Sequence, residues 1–249
     1  MSFRDHFSKQ ANGYSQYRPH YPAELFAYLG TLTEQHDRAW DCATGNGQAA
    51  LKLATLYNRV EATDASEQQI ANAIPHEKIH YQACEATCLP FPDNHFDLVT
   101  VAQALHWFDL EKFYTEVKRA SKPAGIFAAW CYGLFKVNSD IDTLIQQFHD
   151  DTVGPYWPVG RKHITDGYAS LAFPFERIRT PEFFMSQKWT LPQVLGYLGT
   201  WSAVRYYEEH HGNNPLQQFA TELQSLWATP GEIREIRWPV YLHVGRVNK

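Results

Sequence analysis

Two carboxylates flank a glycine-rich turn in this sequence. Asp41 stands just before the turn in AWDCATGNGQAALKLA. Asp64 follows in VEATDAS, at about the twenty-residue interval that separates such a turn from the acid of the next strand. Gly45 and Gly47 let the backbone turn sharply and let a ligand approach without a Cβ in the way. The helix that starts there offers unpaired N–H groups. A nucleotide-type ligand and a plain strand-to-helix connection both suit this turn. The dinucleotide pattern G-x-G-x-x-G is not met, because position 43 is Ala and position 48 is Gln. A phosphate loop is not met either, since no Lys-Ser or Lys-Thr follows. The carboxylate of Asp41 would repel a pyrophosphate and favour a ligand carrying an ammonium; the alternative is that it only holds loop N–H groups. Asp64, at the tip of its strand, is placed to accept from both hydroxyls of a ribose. The next helix has its own cap in Ser66. Glu85 and Ala86 follow the third strand, where an adenine edge would lie.

Other side chains suit the acceptor side of a reaction. His106, after the fourth strand, could take a proton from a hydroxyl or amine near neutral pH. With a carboxylate acceptor, which needs no base, it would orient or pack. Trp107, Trp130 and Trp201 suit a cavity wall, and equally a core. Arg18, in a tyrosine- and proline-rich stretch that includes Tyr14, presents a planar fork fitted to a carboxylate. Its alternative is a surface ion pair. Cys84 and Cys88 have no second ligand pair at metal spacing, so no metal site is expected.

The elements that position these residues alternate. Strands are expected at 39–43, 60–64, 79–83, 97–102 and 126–130, with helices at 47–57, 66–73 and 110–120 between them. That order is the pattern of right-handed βαβ units and a parallel sheet, hence an α/β fold. An N-terminal helical cap (1–38) precedes this core (39–133). A lid or substrate insertion (134–182) carries the loop GPYWPVG with Trp157. The remainder (183–249) completes the sheet with a strand near 182–187, helices at 190–199 and 215–227, and a last strand at 239–247. The whole is expected to form a single domain.

The 249 residues carry 22 Lys and Arg against 27 Asp and Glu, a net negative balance that argues against a generic nucleic-acid binder. No apolar run reaches the roughly 20 residues of a membrane span. The polar start has no apolar leader core, and the scattered cysteines suit a reducing compartment, so a cytoplasmic protein is expected. Monomer and homodimer remain equally open.

Four motifs in order resemble the class I S-adenosylmethionine-dependent methyltransferases. DCATGNG (41–47) is similar to their D-x-G-x-G-x-G turn, with Ala43 replacing the first Gly. TDAS (63–66) resembles the ribose-binding D-x-S. EATCLPFPDNHFDLV (85–99) resembles D-A-x-x-L-P-F-x-D-x-x-F-D-L-V, and RASKPAGIF (119–127) the L-K-P-G-G turn with one Gly replaced by Ala. At position 43 an Ala costs little if φ is negative. The resemblance implies a doubly wound, Rossmann-like sheet of seven strands, mostly parallel with the last antiparallel. It implies S-adenosylmethionine as cofactor and S-adenosylhomocysteine as product. The cofactor would lie against Asp41, Ala43, Gly45, Gly47, Asp64, Ala65, Glu85, Ala86 and Gln103. Residues 11–22, 102–109 and 195–203 are similar to a branch that includes trans-aconitate methyltransferase, which implies a small-molecule acceptor such as a carboxylic acid. An N- or C-methyltransferase and a cofactor-binding module without turnover are the alternatives.

Overall fold

The computed structural model describes residues 19–248. The expectations for Tyr14, Arg18 and the chain before them lie outside the described residues. Helix α1 (Ala23–Thr31) buries Leu25, Phe26 and Leu29, the face its spacing predicts, with Pro22 at its N-cap. Then come β1 (Arg38–Cys42), α2 (Gln48–Leu53), β2 (Arg59–Asp64), α3 (Glu67–Ala71), β3 (Ile79–Ala83), β4 (Phe96–Ala102), α4 (Leu110–Ala120) and β5 (Ser121–Tyr132). Helix α3 is capped by Ser66, whose Oγ accepts from Gln69 N at 3.3 Å. Helix α2 is shorter than expected, because the chain passes into turns after Leu53.

The second half comprises α5 (Ser139–Gln147), α6 (Arg161–Thr165), β6 (Glu176–Ile178), β7 (Phe183–Trp189), α7 (Leu191–Gly199), α8 (Ser202–His211), α9 (Leu216–Trp227) and β8 (Arg234–Arg246). The strand order is β3-β2-β1-β4-β5-β8-β6, with β7 also on β8. Neighbours from β3 through β5 are parallel, and β8 runs antiparallel to β5. This is the expected doubly wound sheet. One lane differs from the expectation. β6 and β7 lie end to end along β8, pairing Ile178 with Val244 and Phe183 with Val240. Between them stands Pro181, which has no N–H for the ladder, so the lane breaks there. Eight segments therefore fill seven positions.

Side chains alternate across the sheet into two cores. Ala39, Leu98 and Ile126 face the layer that holds α1, while Trp40, Val99 and Phe127 face α4 and Phe175. At the amino edge, Asp97 fixes the entry of the strands. Its Oδ2 accepts from the Asp37 and Arg38 N–H groups at 3.0 and 2.9 Å, and its Oδ1 from Lys122 Nζ at 2.7 Å. The carboxyl edge is thereby left to the loops that carry the site.

Candidate active site

The strand ends share one edge. Cys42 is level with Thr63 and Val101, Asp64 with Ala83, and Ala102 with Trp130. From the end of β1 the turn runs through three left-handed residues, Ala43 (φ 54°), Gly45 (φ 57°) and Gly47 (φ 89°). The low-cost condition for Ala43 is thus corrected: its φ is positive, where a Cβ costs about 1–2 kcal/mol. A Cβ on Gly47 would overlap the Tyr81 hydroxyl and ring edge, so a larger residue would displace Tyr81, and the positive φ favours glycine as well. Tyr81, a residue no motif indicates, covers the turn and donates to Ile74 O at 2.9 Å.

Asp64 clamps this turn to β2. Its Oδ2 accepts from Gly45 N and its Oδ1 from Ser66 N, each at 2.9 Å. Asp41 is wholly buried beneath the turn and accepts from Thr44 Oγ1 at 2.6 Å and Thr100 Oγ1 at 2.8 Å. Burial pushes its pKa up to about 6, and the nearby Asp64 charge adds to the rise, while the two hydroxyls oppose it. Asp41 therefore ties the turn, through Thr44, to β4, through Thr100. Ala65 and Glu85 are exposed on the lip, and Ala86 packs partly into the α4-side core.

Four buried polar atoms at this edge have no hydrogen-bond partner among the described residues: Asn46 Oδ1, Gln48 Oε1, Gln103 Oε1 and Trp130 Nε1. Orphaned buried groups are uncommon and call for an explanation. Gln103 is also strained, with φ 62°, and is held by its N–H to Trp130 O at 2.8 Å. Three of the four orphans are acceptors, beside two carboxylates. That set fits a ligand with an ammonium and a sulfonium, as S-adenosylmethionine has, and would not suit a polyphosphate.

A second wall of this edge comes from the end of β4 and from the insertion between β5 and β6. His106 is half-buried, and its Nδ1 lies 3.2 Å from the Tyr168 hydroxyl. Burial, and then the charges of His163 and Arg161, push its pKa down to about 4, so the imidazole is neutral at pH 7. A Cβ on Gly160 would lie 3.0 Å from His106 Cδ2 and 3.9 Å from Trp107 Cζ3. The start of α6 thus rests on the His106–Trp107 pair. Arg161 stacks on Trp157, with Cζ 4.2 Å from the ring centroid, and its Nη2 lies 3.5 Å from His149 Nε2. Burial also pushes the His149 pKa down, against its bond to Asp150.

The three tryptophans separate. Trp107 is 46 % exposed at the mouth. Trp130 is fully buried edge-on to Tyr21 and Phe26, so it is a core residue with only Nε1 left for a ligand. Trp201 lies behind the insertion against Trp157, His149 and Tyr197. Residue type alone does not separate wall from core, which is why all three look alike in sequence. Arg161, His149 and Tyr168 carry no motif; the only pointer to them is the Gly- and Pro-fixed loop that precedes Arg161. Among the described residues no cluster of His, Cys, Asp and Glu could hold a metal ion, and no helix is long and apolar enough to cross a membrane.

Residues 40–129 match the family model of a methyltransferase domain. Over 247 residues the chain is 30 % identical to a protein of Dictyostelium discoideum that bears a provisional methyltransferase name, covering 96 % of this chain and 94 % of that one. It is 37 % identical to a protein of Anaeromyxobacter dehalogenans, provisionally a type II methyltransferase by name, with a TM-score of 0.89 over 93 % of this chain and 98 % of that one. Phosphoethanolamine N-methyltransferase 2 of Haemonchus contortus, in complex with S-adenosyl-L-methionine, shares the fold at 17 % identity and a TM-score of 0.50, over all of this chain and 60 % of that one.

Proposed function

The chain belongs to the class I S-adenosylmethionine-dependent methyltransferases, and on that premise we propose that it O-methylates a small-molecule carboxylic acid. The observation that carries the reading is the insertion wall, where a guanidinium stacked on Trp157 stands beside two histidines held neutral, His106 and His149. A carboxylate is already ionised at neutral pH and needs no base, only donors that fix it. An amine would need a base whose pKa lies near 7, and burial has moved His106 well below that range. The resemblance of residues 11–22, 102–109 and 195–203 to a branch that includes trans-aconitate methyltransferase points to the same acceptor.

Bound in the cleft, the cofactor supplies an electrophilic methyl group on a positively charged sulfur. Asp64 and the backbone of the 43–47 turn would hold its ribose side. Gln103 and Trp130 Nε1 would hold its amino-acid end, and Glu85 would flank its base. Arg161 would hold the acid against the mouth, with Trp107 and Trp157 excluding water. A carboxylate oxygen so held would bond to the methyl carbon as the carbon–sulfur bond broke, that bond's electron pair going to sulfur. The products are a methyl ester and S-adenosylhomocysteine, and no proton is transferred. Charge is neutralised along this path, so the residues must align the reactants and need no Lewis acid.

The test is incubation with methyl-labelled cofactor and a panel of carboxylic acids, amines and phenols. Label released by mild alkali, as expected of an ester, supports the reading. Label retained on nitrogen or carbon overturns the acceptor class and leaves the methyltransferase assignment standing.

A further inference from the structure

We propose that His106 is a hydrogen-bond donor fixed in one tautomer by Tyr168, and that with Arg161 it selects acceptors bearing an oxyanion. This deepens the carboxylate reading and rests on it. Tyr168 is 1 % exposed, and its backbone sits at φ 66°, a conformation a bulky side chain adopts only under constraint. What that constraint achieves is visible at the phenol. Burial keeps the hydroxyl protonated, and among the described residues the hydrogen bond this hydroxyl makes is to His106. The phenol proton is therefore directed to its side-chain partner, His106 Nδ1, at 3.2 Å. A neutral imidazole that accepts at Nδ1 carries its own proton on Nε2.

Among the described residues no hydrogen bond is made to His106 Nε2, and the side chain stands at the mouth between Trp107 and Gly160. The charged and titratable groups around it are Arg161 and His163 from α6, and Tyr168 from the segment after it. Both α6 groups oppose a positive charge on the ring. Nε2–H is thus a neutral donor beside a fixed cation, a pair that fits two oxygens of one anion and offers no lone pair to a protonated nucleophile. His149 is set the other way. Its Nδ1 donates to Asp150 Oδ1 at 2.6 Å, leaving the Nε2 lone pair towards Arg161. The two imidazoles are therefore held in opposite tautomers on one wall. Tyr168 is a positioning residue, acting only through His106.

Nitrogen-15 NMR of the full chain with labelled histidines, without substrate, reads this directly. His106 is identified by the signal lost in His106→Gln, and His149 by the one lost in His149→Gln. The expected result is an Nε2–H imidazole at His106, with no midpoint between pH 5.5 and 8, and an Nδ1–H imidazole at His149. Tyr168→Phe should populate the Nδ1–H form of His106 and raise the acceptor KM about tenfold while kcat moves less than about threefold. His106→Gln, which keeps an N–H donor in a different place, should raise the acceptor KM more than it lowers kcat, where loss of a general base costs about a hundredfold or more in kcat. An Nδ1–H signal at His106 in the unaltered protein, or a midpoint near 6.5, overturns the proposal even if Tyr168→Phe fails to fold. Because the NMR needs no acceptor, its failure is distinct from the discovery of an N- or C-methylated product.

Discussion

The two walls at the carboxyl edge of the sheet pose opposite electrostatic problems and are built by different parts of the chain. The wall built by the β1 turn and the tip of β2 gathers acceptors: Asp41, Asp64 and the orphaned oxygens of Asn46 and Gln48. The wall built by the end of β4 and the insertion gathers donors and rings: His106, Arg161, Trp157 and Tyr168. The first suits a cation, and the second, on the acceptor proposed above, would take an anion. The acceptor-rich wall is assembled from βαβ connections, whose spacing the sheet dictates. The donor-rich wall is assembled from an insertion whose only constraint is to reach the same edge. A cofactor shared by a family and an acceptor that differs between its members would be recognised by walls of just this kind.

Breaking one wall should leave the other intact. Asp64→Ala removes the clamp on the turn and should weaken cofactor binding by about 2–3 kcal/mol, the scale of lost charge-assisted bonds, measured by calorimetry. Arg161→Ala should raise the acceptor KM by the equivalent of about 1.5–3 kcal/mol with cofactor affinity within twofold. Arg161→Lys should restore little of it, since a point charge cannot reproduce the stacked fork. An Arg161→Ala enzyme with an unaltered KM would show that the donor wall does not hold the acceptor.

Acid should separate the walls by sign. Asp41, at about pKa 6, must ionise fully to favour a cation, so cofactor affinity is expected to fall about tenfold between pH 7 and 5 and to level off above 7. For stability the two groups oppose each other. The raised Asp41 pKa favours the fold at low pH, a contribution lost as pH rises from about 4 through 6. The depressed His106 pKa gives the reverse: the folded state is penalised as pH falls from about 6.5 through 4. Denaturation of His106→Gln across this range should therefore show a shallower acid limb than the unaltered protein; an equally steep limb would contradict the placement of His106.

The smallest expected effects sharpen the comparison within the backbone. Both positions where the sequence departs from the family's glycines, Ala43 and Ala124, have positive φ, at 54° and 59°. Replacing either by Gly should stabilise the protein by about 0.5–1 kcal/mol, the relief of left-handed strain less the entropy glycine loses on folding. Only Ala43→Gly, at the turn, should also change cofactor affinity. Equal affinity changes at both sites would show that the effect is global.

The acceptor-rich half is legible in the sequence because there chemistry and periodicity coincide. The Asp41 turn, the Asp64 strand tip and the Ser66 cap follow from residue type and spacing that any βαβ unit must respect. The broken lane along β8 is not legible, in part because Glu176–Ile178 is three residues long and shows no buried face. Helix α8 escapes a reading by periodicity because most of its length is polar, with only Ala203 and Val204 buried. In the donor-rich wall, Arg161 and Tyr168 are brought to His106 across more than fifty residues of chain by tertiary packing alone, and no spacing rule encodes that.

The division of labour between the walls is tested most directly by calorimetry of S-adenosylmethionine binding to the unaltered protein, Asp64→Ala, Arg161→Ala and the double variant. Independent walls predict a coupling below about 0.5 kcal/mol, with the loss of affinity residing in Asp64 alone. A coupling above about 1.5 kcal/mol, or an Arg161→Ala protein that binds cofactor as weakly as Asp64→Ala, would show that the two walls form one site for one ligand.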